Sequence, residues 1–280
     1  MNEYLNKTKA VEYLGLDDKT FDNYFKSASE FRCIERVRER GRFYFAQEEL
    51  DKWSKGFKWR TVDLTKEDYA LCLDFALAQH FRGYVLSDWG TGRQREFGQK
   101  VTNWVKGQLA EVAVKKFFKS EFNVTVELDF EIHKDIVPQD IIGVVENGIK
   151  RTPKIDIAIK SSKPKSAYLV LAGNEVNFTN RRSDIYIFCR PDIPDDHLLR
   201  ITKDKIIEIV QREPLFPTYV NEIPGFENIP CEIAGYCWRV DLEEVTEIPG
   251  LKFDNGTRFV KQTGKLLKDR ESWEQLLSKL

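Results

Sequence analysis

Apolar residues recur at helical spacing through Ala10, Val11 and Leu14 and stop at Gly15, and Asp17-Asp18-Lys19-Thr20 then opens a second helical stretch reaching Lys26. The pattern predicts two short helices with a tight glycine-containing turn. From Arg36 to Phe45 the chain reads as a hairpin with Gly41 in or near its turn, and Gln47 to Trp53 returns to helical spacing. The pattern changes near residues 55–64, where Gly56-Phe-Lys-Trp-Arg-Thr-Val-Asp-Leu64 carries neither period. A small unit over residues 1–58 and a larger one over 59–280 are therefore expected.

In the larger unit Thr65 followed by Asp68 is a capping signal that opens a helix to about His80. A loop with Gly and Arg over Ser87 to Arg95 and a helix through Trp104, Leu109, Val112 and Phe117 follow. Strand-like runs come next at Val124–Ile132, Asp140–Val145, Ile155–Ile159, Tyr168–Ala172 and Asp184–Phe188, with Tyr236–Leu242 and a helix around Trp273–Leu277 near the end. The fold class this order predicts is α/β.

One strand carries chemistry. Period two in Ile155-Asp-Ile-Ala-Ile-Lys160 puts the isoleucines on one face, and Asp156, Ala158 and Lys160 on the other. A lysine ending an apolar strand, an aspartate on its face and a second strand led by Asp140 suit metal-assisted phosphodiester hydrolysis. Beyond it, Lys163, Lys165, Arg181 and Arg182 interleave with Asn174, Asn177 and Asn180, a composition suited to phosphate and base-edge contacts.

Composition narrows the field. The chain has 280 residues, 41% hydrophobic, enough for a packed core, while 44 Lys+Arg nearly cancel 45 Asp+Glu. Nucleic-acid affinity must then come from local basic patches, such as the five arginines between Arg32 and Arg42. Five cysteines with no paired spacing read as reduced core thiols, and three isolated histidines do not supply a zinc site. The opening Met-Asn-Glu-Tyr-Leu-Asn-Lys has no signal pattern and no stretch reads as membrane-spanning, so a cytoplasmic protein without a membrane role is expected.

Residues 7 to 54 resemble the winged helix-turn-helix of the excisionase and MerR-like families, through the AVEYLGL opening, KTFDNYF, the RFYF wing strand and the EELDKW closing helix. The resemblance implies that Lys19, Thr20, Asn23 and Tyr24 lie on a recognition helix, with Arg38, Arg40 and Arg42 on a wing beside phosphates of double-stranded DNA.

Residues 107 to 190 resemble the PD-(D/E)xK nuclease superfamily, which includes most type II restriction endonucleases. Gly107-Gln-Leu-Ala-Glu111 matches the helix that offers a glutamate, Pro138-Gln-Asp140 the first metal-binding aspartate, Lys160 the motif lysine, and Leu171-Ala-Gly-Asn-Glu175 a later segment of such domains. By this likeness Mg²⁺ sits on Asp140, Asp156 and Glu111, with Lys160 and Glu175 beside it. The departure is Ala158, where an acid is expected. Three explanations stay open: the acid has migrated to Asp156 or Glu175, the chain is inactive, or Ala158 is an engineered block to cleavage. The implied protein is a Mg²⁺-dependent, site-specific restriction-type endonuclease acting as a homodimer. A non-catalytic DNA-binding regulator and a nuclease for modified DNA are the alternatives, although no cage for a flipped base is identifiable in the sequence.

Overall fold

The computed structural model describes residues 3–24, 31–36, 41–82, 97–133, 139–146, 148–179, 182–210, 228–248 and 257–280. The small unit contains β1 (Tyr4–Asn6), α1 (Lys7–Leu14), α2 (Asp18–Tyr24), β2 (Cys33–Arg36), β3 (Arg42–Ala46) and α3 (Gln47–Trp59). Then come β4 (Thr61–Leu64), α4 (Lys66–Arg82), α5 (Phe97–Phe122), β5 (Thr125–Leu128), β6 (Ile141–Glu146), β7 (Ile149–Arg151) and β8 (Ile157–Ser161). The chain continues with β9 (Tyr168–Ala172), α6 (Gly173–Asn177), β10 (Ile185–Pro191), α7 (His197–Val210), β11 (Ile229–Trp238), β12 (Glu243–Val245), β13 (Arg258–Gln262) and α8 (Arg270–Lys279). The protein is mixed α/β.

Local chemistry explains the first elements. The Asn6 side chain accepts from Lys9 N to start α1, and Gly15 ends it at φ 64, a conformation glycine enters without steric penalty. Asp17 starts α2, accepting from Thr20 N at 2.9 Å and from the Thr20 hydroxyl at 2.7 Å. β3 lies between β1 and β2, antiparallel to both, and Leu5, Ala10, Phe21, Phe31, Phe45 and Leu50 close a core of their own.

The closing helix is longer than its periodicity suggests. α3 runs past Trp53 and through Gly56 to Trp59, because its second half has partners the sequence does not announce. Trp53 stacks on Phe57 at 5.1 Å, and Trp59 donates to Glu121 of α5 at 2.5 Å while its ring meets Phe117. Arg60 follows at once, its carbonyl accepting from Ile233 N, and β4 enters the main sheet.

That sheet has the order β4-β11-β10-β8, with β10 and β8 parallel and the other pairs antiparallel. One face packs on α4 and α5. α4 opens with the expected reciprocal cap, Thr65 N to Asp68 and Asp68 N to the Thr65 hydroxyl. The middle of α5 is buried almost all round, from Val101 to Phe118, as a helix sandwiched inside a core must be. The other face carries a second apolar cluster beneath β9 and α6, in which Ala158, Leu169, Leu171, Val176, Tyr186 and Phe188 meet. β9 belongs to the sheet β12-β13-β9, and β5-β6-β7 forms a third.

Several expectations need correction. β11 begins at Ile229, seven residues before the expected Tyr236, because Pro230 and Gly235 read as breakers but sit inside the strand. Gly235 has φ 129, and a Cβ there would stand 2.6 Å from the Leu267 carbonyl, so the glycine admits the strap at Leu266 to Lys268. Of the five cysteines Cys33 is exposed, on β2, and the other four are buried and free. The loop expected at 87–95 lies outside the described residues. Among those described, no helix is long and apolar enough to cross a membrane.

Candidate functional site

β8 is an edge strand, and its open side is taken by Asp140. The Asp140 N–H donates to the Ile157 carbonyl at 3.4 Å and its Oδ2 accepts from Ile159 N at 2.5 Å, so the aspartate brackets residue 158 from the side. Ile157 and Ile159 point into the helix-side core, while Ala158 and Lys160 point to the opposite face. The period-two reading gave these faces.

On that face Lys160 Nζ donates to Glu175 Oε1 at 2.9 Å. Glu175 is on α6, and its other oxygen accepts from Ala172 N at 3.0 Å, which fixes the carboxylate against its own helix start. Tyr186, the β10 neighbour of Ala158, donates its hydroxyl to the Glu175 carbonyl at 3.0 Å and ties α6 to the sheet. Glu111 is buried on α5, where Gln108 donates to it at 2.8 Å.

The electrostatics of this group are uneven. Burial raises the Glu111 carboxyl well above its ordinary range, with Asp140 and Asp129 adding to the rise and Lys160 and Gln108 opposing it. Asp140 is likewise raised by burial, against the pull of Lys160 and the Ile159 N–H. Burial disfavours the charge on Lys160, but Glu175 and Asp140 outweigh it, and the ammonium is held above its ordinary value. Lys160 thus stays charged, and the carboxylates compete for one cation.

Asp129 was not foreseen. It accepts from His133 Nε2 at 2.7 Å and bears on both Glu111 and Asp140, and its only sequence signal is the four-residue spacing to His133. Two amide oxygens nearby in the chain, Gln108 Oε1 and Gln139 Oε1, are buried and have no hydrogen-bond partner among the described residues. Asp140 and Glu111 are the residues whose carboxylate oxygens could be offered to a hard cation such as Mg²⁺, which one or two carboxylates plus waters and substrate oxygens can hold. Among the described residues no three Asp, Glu, His or Cys side chains converge as a ready-made cage.

Asp156 does not join this group. β8 starts one residue after it, its side chain is exposed, and its backbone exchanges hydrogen bonds with Asp184. The nearby Asp184 charge adds to the burial that raises its carboxyl, so its electrostatic partner is there and not at Lys160. Ala158 is 3% exposed and belongs to the apolar cluster of Leu171, Val176 and Tyr186, so a carboxylate at that position would be buried among apolar side chains.

Lys160 and Glu175 open into a cleft of about 880 Å³ that is also lined by Lys163, Lys165, Tyr168, Val170 and, from the small unit, Lys19. Lys165 donates to Asp17 of the small unit at 3.1 Å. Thr20 is occupied with Asp17, Asn23 and Tyr24 fall on the last turn of α2, and Arg42 is exposed on β3. Asn177 and Arg182 are exposed, Asn174 has a buried unpartnered oxygen, and Arg38, Arg40, Pro138, Asn180 and Arg181 lie outside the described residues.

Comparison with protein-family models, curated proteins and solved structures gave no match. The site has to be read from its own geometry.

Proposed function

We propose that the protein is a Mg²⁺-dependent endonuclease for double-stranded DNA, with a winged helix-turn-helix over residues 1–58 and a restriction-endonuclease-like core over 59–280. The observation that carries this reading is the Lys160–Glu175 pair beside Asp140 at the edge of β8, opening into a lysine-lined cleft. Bound Mg²⁺ would polarise a phosphodiester and make its water a better nucleophile. Asp140 and Glu111 are the residues that would hold it, with Glu175 as the acid that stands in for one at position 158.

Lys160, kept charged by Glu175 and Asp140, can donate to the attacking water or to a phosphate oxygen as negative charge develops. Glu175 fixes where that ammonium stands, because its second oxygen is anchored to Ala172 N. Lys19, Lys163 and Lys165 supply contacts to the DNA backbone. Two copies related by a two-fold axis would cut both strands of a symmetric site, which makes a homodimer the expected working form. A non-catalytic DNA-binding regulator is the second reading, favoured by the structural use of Asp140 in closing the β8 edge.

Plasmid and phage DNA incubated with the protein and Mg²⁺ should give discrete fragments, and chelation should stop the reaction. Ala158→Glu should not improve cutting. Intact DNA across Mg²⁺ and Mn²⁺, together with demonstrable binding, would replace the enzyme with the regulator; cutting only by Ala158→Glu would restore the engineered-block explanation.

A further inference from the structure

The cleft has two chemistries. Lys19, Lys160, Lys163 and Lys165 line it together with the apolar surface of Tyr168, Val170 and Ile248. A duplex backbone offers phosphate and sugar, which lysines match and an apolar wall does not. The face of a single base is apolar and flat, and stacks on such a wall. Val170 is 38% exposed, and the Tyr168 ring is steadied by Gln262, which donates to its hydroxyl at 3.1 Å.

A second feature lies just past Glu175 in the chain. Phe178, three residues on, is 56% exposed, and its backbone is pinned on both sides, N–H to the Asn174 carbonyl at 3.4 Å and carbonyl from Arg182 N–H at 2.9 Å. The exposed residues around it, Asn177, Thr179 and Arg182, are polar. An exposed ring on a pinned backbone, about one helical turn from a reactive pair, is placed to enter a DNA base step.

We propose that the cleft takes one base extruded from the duplex and that Phe178 fills the gap it leaves in the stack, an inference that rests on the endonuclease reading. Extrusion swings a nucleotide out while its phosphates stay at the backbone, so the cleft's lysines hold the phosphates and its apolar lining takes the base.

The test uses duplexes of a sequence the protein cuts, each with one 2-aminopurine, bound by the full chain with Ca²⁺ in place of Mg²⁺. Emission should rise about fivefold or more at one position and stay flat at the others, as an unstacked base does. Phe178→Ala should reduce that rise and slow cutting by about tenfold, with Phe178→Leu recovering part of both. Val170→Trp, which narrows the cleft at an exposed position, should abolish the rise while phosphate-driven binding persists. Normal cutting with flat emission at every position, or a full rise in Val170→Trp, would overturn the extrusion while leaving the endonuclease standing. Absence of both binding and cutting would overturn the two together.

Discussion

Arg190 and Glu232 stand opposite each other on β10 and β11, both buried and in direct contact, and Arg60 approaches the same carboxylate at 3.9 Å. Arg190 also donates to the Ser166 carbonyl at 3.0 Å. On the same sheet, at the β8 edge, Glu111, Asp140 and Glu175 gather around Lys160 with Asp129 close by. The first cluster sets each guanidinium against an acceptor. The second sets several carboxylates around one ammonium, and burial, added to by neighbouring carboxylates, pushes two of them up. The first cluster joins the start of β4 to the centre of the sheet; the second gathers more carboxylates than cations beside a cleft, the kind of charge imbalance that marks a candidate functional site.

The largest expected effect separates the two clusters by activity. Asp140→Asn, which can still accept from Ile159 N, and Lys160→Met should each lower Mg²⁺-dependent cutting by about 10³-fold or more, with melting near that of the parent. A loss of melting in step with activity would make the β8 cluster structural as well. Arg190→Met should do the reverse, costing about 3–5 kcal/mol by leaving Glu232 short of its main partner while the folded fraction still cuts. Urea titration reads the first quantity, and cutting normalised to folded protein reads the second.

His197 sharpens the contrast as a buried titratable group kept neutral. Its Nδ1 faces the Tyr69 hydroxyl at 2.5 Å and its Nε2 the Thr102 hydroxyl at 2.9 Å, and burial, helped by Lys106, lowers its pKa from 6.5 to about 4. A depressed folded value means that its contribution is complete above pH about 6.5 and is lost as pH falls toward 4, up to about 3 kcal/mol. His197→Gln should flatten that part of the stability profile; an unchanged slope would assign the acid sensitivity to other groups.

The smallest effect tests the surplus of carboxylates. A carboxyl raised on folding destabilises the native state as pH climbs above its unfolded value, so Glu111→Gln should raise the metal-free melting temperature at pH 7 by a few degrees. Mg²⁺ should raise melting in the parent and less in that variant. A variant that melts lower than the parent at pH 7 would mean Glu111 is already satisfied.

The sequence made one side of this comparison visible. The alternation of Ile155 to Lys160 gives the face of Lys160, Asp140 stands out as the head of a second strand-like run, and Glu111 is singled out only by the resemblance of Gly107 to Glu111 to a nuclease helix. Arg190 could not be found, since it lies in Ile185–Pro191, a run buried throughout, and its partner is 42 residues away. The Tyr69–His197–Thr102 contacts span 128 and 95 residues and leave no local trace. Asp156 was misplaced for a smaller reason, a strand that starts one residue after it.

Glu175 ties the geometry of the site to a length of chain. It reaches Lys160 from a helix fifteen residues downstream, so an insertion or deletion between the two would shift α6 against β8 and part the ion pair, whereas a substitution that keeps the length would leave the spacing of the two elements in place.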